Sequence, residues 1–403
     1  MIFDVFFSIC QTDVDGVMPD EHTMFTHFFD QVKWADELGF GTAWVAETHL
    51  SCQIQKRNPG AVIPHFRGEI GLNTDILQMA HLIFQMTKHI AVGSAIRNIQ
   101  CNGGPIAHAE AIRTFLSLRA AAGVGDRILE LGFAAGRFPF SNIPYGIHPR
   151  NDWEQAAWPA LRGKVFKSCV EIFLRFLRGE VFSSDQVTPI TLTRPDFRSD
   201  GDWESVCSAY GNAVDMIPVD PFWRFPDVGV IPFETPMDAL RLTIGAHDAP
   251  TQILANQFLP VGVFNLSFTP TEQIESTHEL MKLHYHRDGG PWKRDYMPRT
   301  ALVFLDDSAG LSTSGKNERA RERAKHAMEN YWRALQGTID PQRIREGVDN
   351  ALVGSPEAVI EQMHARFHQG DRLMLWFDFH NHDNEDVKNS MRLFMEKVAP
   401  SFS

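Results

Sequence analysis

Three stretches of the chain carry side chains suited to chemistry. The first is Glu47-Thr48-His49, which directly follows the apolar run Thr42-Ala43-Trp44-Val45-Ala46. A histidine in a pocket works as an acid or base near its ordinary pKa of about 6.5. A buried histidine satisfied by a neighbouring carboxylate explains the same Glu-x-His pattern, with Glu47 anchoring the strand end or a nearby basic residue. The second stretch is Ile244-Gly245-Ala246-His247-Asp248-Ala249-Pro250-Thr251. It reads as a strand ending at Gly245 and a helix beginning near Ala249 with Asp248 as N-cap. Unpaired N–H groups at such a helix start, with the Thr251 hydroxyl, form an anion site; an ordinary capped turn with His247 exposed is the alternative. The third is Arg137, just after Gly132-Phe133-Ala134-Ala135-Gly136. Its planar fork of donors suits a phosphate, or it pairs with a surface carboxylate.

Other patterns are set aside. His284-x-His286 and His380-x-His382 resemble metal pairs but share no helix with a third ligand, so no metal site is expected. Asp378, two residues after Trp376, reaches a pocket mouth or pairs with an arginine of a neighbouring strand, and is not assigned to the site. There is no Gly-x-Ser-x-Gly elbow and no P-loop.

Positioning these residues requires strands that end together. Phe25, Phe28, Phe29, Val32 and Ala35 fall at helical spacing and lead to Gly39, a suitable C-cap. Strands are predicted at 3–8, 42–46, 89–96, 127–135, 240–245, 261–268, 299–305 and 372–379. Nearly every one is followed by a helix. Asn73 or Thr74 caps the second helix, Pro105 opens the third, and the fourth runs from about Trp158 to Arg178. Ser355 caps a later helix with Pro356 at its first position. Alternation of this kind predicts an α/β fold with a parallel sheet, and eight units suit a closed (β/α)8 TIM barrel, whose ligands bind at the carboxyl ends of the strands. An open doubly wound sheet would want a glycine-rich fingerprint after the first strand, and none is present. We read 1–403 as a single barrel domain with irregular insertions at about 51–72 and 180–237, the latter holding a short hairpin and a long excursion.

Composition narrows the partners. The chain has 403 residues, 43% hydrophobic and 22% charged, with a formal charge of −12. That charge argues against nucleic acid or an anionic membrane surface as a partner. The five cysteines form no Cys-x-x-Cys pair and read as reduced thiols in a cytoplasmic protein; Cys10 and Cys52, near strand ends, either line a pocket or are buried structural thiols. No signal peptide and no apolar run of membrane-spanning length is expected.

The run from Glu37 to Leu50, ELGFGTAWVAETHL, resembles the signature of the bacterial luciferase-like flavin-dependent monooxygenases, Gly-Phe-x-x-Trp-x-x-Glu-His-His. The resemblance covers most of the chain. It is strongest over 28–50, 88–147 and 240–268 and at the C-terminal end, and weak across 180–237. It implies a TIM barrel that takes reduced FMN from a separate flavin reductase and uses O2, through a flavin C4a-peroxide, to oxygenate a small organic substrate. It also implies catalytic roles for Glu47, Thr48 and His49. Thr48 stands where the family shows its first histidine, the one that matters in light-emitting members, so luciferase activity does not carry over. By the same resemblance Ala246, His247 and Thr251 surround the FMN phosphate, His247 standing where the family often has Ser. Arg137 joins them, two positions after the family's usual arginine, whose own place is Ala135. Ser94, Ala95 and Ile96 underlie the isoalloxazine ring, where relatives often have a non-prolyl cis peptide, and Asn98 meets its pyrimidine edge. Phe6, Phe7, Trp44, Phe138 and Trp376 would keep the cavity dry, and the second and third helices would form a homodimer face. The alternatives are a deazaflavin-dependent oxidoreductase of the same superfamily and a non-catalytic flavin-binding relative. Relatives that use deazaflavin typically show Asp before the histidine, so Glu47 favours FMN.

Overall fold

In the computed structural model the described residues are 1–50, 53, 56, 57, 63–246, 248–336 and 339–402. Eight parallel strands form the barrel: β1 (Ile2–Phe7), β2 (Thr42–Val45), β3 (Ala91–Asn98), β4 (Leu129–Ala134), β7 (Leu240–Ile244), β8 (Val261–Val263), β9 (Arg299–Leu305) and β11 (Arg372–Trp376). Hydrogen bonding runs β9-β11-β1-β2-β3-β4-β7-β8. Asn265, just past β8, bridges to Arg299 and closes the ring. A further short strand, β10 (Leu352–Gly354), lies against the upper half of β9; its three residues are too few to show a period in sequence.

Each barrel strand is followed by helix: α1 (Glu21–Leu38), α2 (Ile76–Met86), α3 (Gly104–Ala121), α4 (Asp152–Leu177), α6 (Ala249–Ala255), α7 (Thr271–His284), α8 (Thr313–Gln336) and α11 (Asn384–Lys397), with α9 (Pro341–Asn350) and α10 (Pro356–Arg366) flanking β10. The expected caps at Asp248 and Ser355 form, each side chain accepting from a first-turn N–H. Gly39 ends α1 at φ 84°, a left-handed conformation that glycine adopts without a Cβ penalty. Several boundaries differ from the sequence reading. Asp75, not Asn73 or Thr74, caps α2, because its carboxylate accepts from Leu77 N–H. Helix α4 starts at Asp152, six residues before the expected Trp158, behind an Asn151 cap. Strand β8 stops at Val263, since Asn265 turns aside to make the closing bridge.

The excursion contains the expected antiparallel pair, β5 (Ile190–Thr193) with β6 (Met216–Val219), but helix α5 (Asp200–Tyr210) separates its strands. It packs Ile190, Leu192, Val206 and Ile217 against Leu161 and Val165 of α4 as a core of its own.

The lumen is filled in layers. At its base Arg372 donates to Asp4 (2.6 Å), Glu130 (2.9 Å) and Thr42 (2.8 Å), and Trp44 Nε1 donates to Asp4 (2.7 Å). Above them Phe6, Trp44, Phe264 and Met374 pack together. Phe7 corrects an expectation: strand alternation turns it outward, edge-on to Phe28 of α1 at 5.3 Å, away from the cavity. Gly93 lets the indole of Trp44 lie against the backbone of β3; a Cβ there would sit 2.5 Å from Trp44 Cε3. Trp44 is fully buried and tied to Asp4, so it has nowhere to go. Gly93→Ala is therefore expected to cost about 1–3 kcal/mol by overpacking, read as a lower urea midpoint at unchanged slope.

Candidate active site

The carboxyl ends of the strands converge on one mouth. Ala46, Ala95, Ile96, Leu266 and Trp376 pack on the lumen layer there and stay only partly buried. The Ala95–Ile96 peptide is cis, as the resemblance implied. Phe138 and Phe140 stack at 5.3 Å beyond β4 and, with Ile63 and Phe66, form a second apolar cluster.

The parity of β2 decides the roles of Glu47, Thr48 and His49. Side chains alternate along an extended chain, so Glu47 and His49 share one side and Thr48 takes the other. Glu47 and His49 are both buried, at 8% exposure. His49 Nε2 lies 3.2 Å from Glu47 Oε1, and Glu47 Oε2 accepts from Ile76 N–H at 3.2 Å, at the start of α2. Arg97, 2% exposed, places Nη1 at 3.5 Å from Glu47 and 3.7 Å from Asp75. Its Nε donates to His108 Nδ1 at 2.8 Å. That bond fixes the tautomer: His108 is neutral, and its Nε2–H donates to the Cys101 carbonyl at 3.0 Å. Burial first, and Arg97 second, push His108 down to about 3. The Cys101 thiol is pushed up to about 12, mainly by burial and then by Glu47, so it stays protonated and inert. This cluster braces the ends of β2 and β3 against α2 and α3. Thr48, on the other side, donates to the Gly71 carbonyl at 2.8 Å.

The remaining sequence-derived residues divide. Ser94 is fully buried with its hydroxyl unpartnered. The Asn98 amide is committed, donating to Asn142 (2.6 Å) and Ser141 (3.3 Å) and accepting from Gln100 N–H (3.0 Å). At the start of α6 both Thr251 donors, N–H (3.1 Å) and Oγ (2.6 Å), go to Asp248, whose carboxylate also pairs with Lys167 at 3.3 Å. A carboxylate thus fills the place where an anion was expected. Ala246 is buried, and its carbonyl accepts from Gln252. Arg137 is exposed beside Phe138, 5.4 Å from the ring centroid. His247 and Cys52 lie outside the described residues. Among the described residues no group of His, Cys, Asp or Glu could hold a metal ion, and no helix is long and apolar enough to cross a membrane.

Sequence reasoning missed Arg97 and His108. The signal for Arg97 was a cation inside an apolar strand end, which requires a buried carboxylate nearby. Asp378, left unassigned, does reach the mouth. Ser8 holds it through N–H and Oγ, both at 3.3 Å from Oδ2, rather than any arginine.

No protein-family model and no curated protein matches the chain. Solved structures do. Monooxygenase RslO1 from Streptomyces bottropensis is 16% identical over 100% of both chains, with a TM-score of 0.65. The oxygenating constituent of 3,6-diketocamphane monooxygenase from Pseudomonas putida, a type II Baeyer–Villiger monooxygenase in complex with FMN, is 15% identical over 99% of this chain and 98% of its own, with a TM-score of 0.58. An F420-dependent secondary alcohol dehydrogenase in complex with an F420-acetone adduct is 12% identical over 100% and 99%, with a TM-score of 0.56. Identities this low establish a shared fold. The fold these proteins share with the chain is the α/β barrel that the sequence resemblance implied.

Proposed function

We propose that this protein is a flavin-dependent monooxygenase, which takes reduced FMN from a separate reductase and uses O2 to oxygenate a small organic substrate. The observation that carries the reading is the partly uncovered apolar floor, Ala46, Ala95, Ile96, Leu266 and Trp376, at the mouth of a barrel shared with an FMN-bound monooxygenase. A flat apolar ring fits such a floor. The buried Trp376 Nε1 at this mouth is a further polar atom that completes no hydrogen bond within the protein. Reduced flavin, when bound, supplies the two electrons that activate O2.

The chain's own residues would bind and shield it. Ser94, Ala95 and Ile96 support the ring face, and Trp376, Leu266 and Phe138 exclude water. Thr48, its hydroxyl donated to the Gly71 carbonyl, stands on the pocket side, while Glu47, His49 and Arg97 hold the strand ends that frame it. At the phosphate end Arg137 and Lys167 supply positive charge, and Asp248 must yield Thr251 for the α6 turn to take part. The pairing of His49 with Glu47 favours a second reading, a flavin-binding relative without oxygenase activity.

Mixing the protein with FMN, oxidised and then reduced, tests both. Uptake of reduced FMN at micromolar levels is expected, and O2 should then produce a flavin absorbance unlike either the oxidised or the reduced form, persisting before oxidised FMN returns. Immediate return to oxidised FMN with hydrogen peroxide release favours the second reading. Absence of uptake in either redox state removes both.

A further inference from the structure

We propose that Asp378 is the proton-transfer group of this site, positioned by Ser8 and supplied from solvent through the small cavity beside it. The proposal rests on the monooxygenase reading and adds to it the residue that moves the proton.

The register of the barrel sets the geometry. Phe6 of β1 faces Trp376 of β11, and both point into the lumen. Two residues further along each strand come Ser8 and Asp378, at the mouth and side by side. Ser8 donates twice to Asp378 Oδ2, while buried Oδ1 completes no hydrogen bond, and neither does the buried Trp376 Nε1. One oxygen is therefore held by Ser8, and the other lies beside the Trp376 indole donor, close enough to feel it but short of full hydrogen-bond geometry. Next to the carboxyl lies a cavity of about 20 Å³ whose lining includes Ser8, Cys10, His27, Gln31, Asp378 and His382. That is room for one water.

The titratable groups lining the cavity with the carboxyl are Cys10 beyond β1, His27 on α1 and His382 on its own loop, where His380 follows Asp378 by two residues. Among the described residues no lysine, arginine or second carboxylate lines the cavity. Burial holds His380 down to about 3 and depresses His382, whose Nε2–H is spent on the Thr12 carbonyl at 2.7 Å. Neither becomes a competing cation near neutral pH. Burial raises Asp378 to about 6, against the Ser8 bonds and the nearby Trp376 indole, which favour its charge. A group titrating near working pH passes protons in both directions.

The stoichiometry needs such a group. For each oxygen atom inserted, O2 receives two electrons from reduced flavin and two from the substrate. One atom enters the product and the other leaves as water, consuming one proton when the flavin arrives as its anion. The Asp378 carboxylic acid gives its O–H proton to the departing oxygen, and the cavity water returns one through partly exposed His27.

Infrared titration of the flavin-free protein and pH profiles of turnover test this. A protonated-carboxyl band with a midpoint near 6 is expected in the wild type and should vanish in Asp378→Asn. With reduced FMN and O2, that variant should bind flavin as the wild type does, but oxygenate about 100-fold more slowly and lose the alkaline fall in rate. Ser8→Ala removes a bond to the charged form, so the midpoint and the alkaline limb should both move to higher pH. Persistence of the band in Asp378→Asn, or an unchanged pH profile, overturns the assignment. A wild type that takes up no flavin sinks the proposal with the reading it rests on, a case told apart because the band would still disappear in Asp378→Asn.

Discussion

Replacing Arg97 with methionine is expected to cost about 3–5 kcal/mol of stability, because it strands a buried carboxylate. Glu47 and Arg97 have side-chain exposures of 0% and 3%, so water cannot take over from the guanidinium. After the substitution Glu47 would keep only Ile76 N–H and His49, and His108 would lose its Nε donor. The ends of β2 and β3 would lose their brace together, so reduced-FMN affinity should fall along with the urea midpoint. Arg97→Lys keeps the charge but cannot serve both Glu47 and His108, and should recover only part of the loss. A change in stability below about 1 kcal/mol, the level of an exposed pair, would show that the cluster does not behave as buried charge.

The second large effect lies at the opposite end of the barrel. Arg372→Met should also remove about 3–5 kcal/mol at neutral pH, since fully buried Asp4 and nearby Glu130 both lose their cation. Here flavin uptake should be preserved in whatever protein remains folded, because the base layer lies beneath Phe6, Trp44 and Met374. The pH dependence separates the two variants. Burial already raises Asp4 above 3.8, against the pull of Arg372. A carboxyl raised in the folded state binds protons more tightly there than when unfolded. It therefore destabilises progressively as pH rises above 3.8 and relaxes as pH falls through its folded value. Without Arg372 that value rises further, so the deficit against wild type should shrink on acidification from pH 7 toward 5. A deficit that grows on acidification would mean that Asp4 is not the group left exposed to the loss.

The barrel was legible because parallel strands buried on both faces read as unbroken apolar runs, and because Gly39, Asp248 and Ser355 carry the local chemistry of helix ends. The excursion was not, since Ile190, Leu192 and Val206 answer to Leu161 and Val165 of α4, a long-range partnership no local period reveals. The candidate site was half legible. The cis peptide followed from the resemblance, and the mouth position of Glu47, Thr48 and His49 from where the apolar run of β2 ends. Which of the three faces the lumen followed only from parity, and the residues that satisfy them, Arg97 and His108, stand on other strands and helices. The α6 turn shows the converse: a good anion site by sequence, already filled by the aspartate that caps it.

The seam between β8 and β9 distributes the hoop's strength unevenly. Its backbone contact is Asn265, with N–H to the Pro298 carbonyl at 2.9 Å and its carbonyl accepting from Thr300 N–H at 3.1 Å, while β10 patches the upper part of β9. Neighbouring staves are laced over several residues, so prising the ring apart is cheapest here, at roughly one kcal/mol per net bond broken. Leu266 stands next to that joint, whereas the Glu47–Arg97 brace sits across the ring from it. The hoop is thus fastened most lightly beside Leu266 and most firmly, through buried charge, on the side facing it.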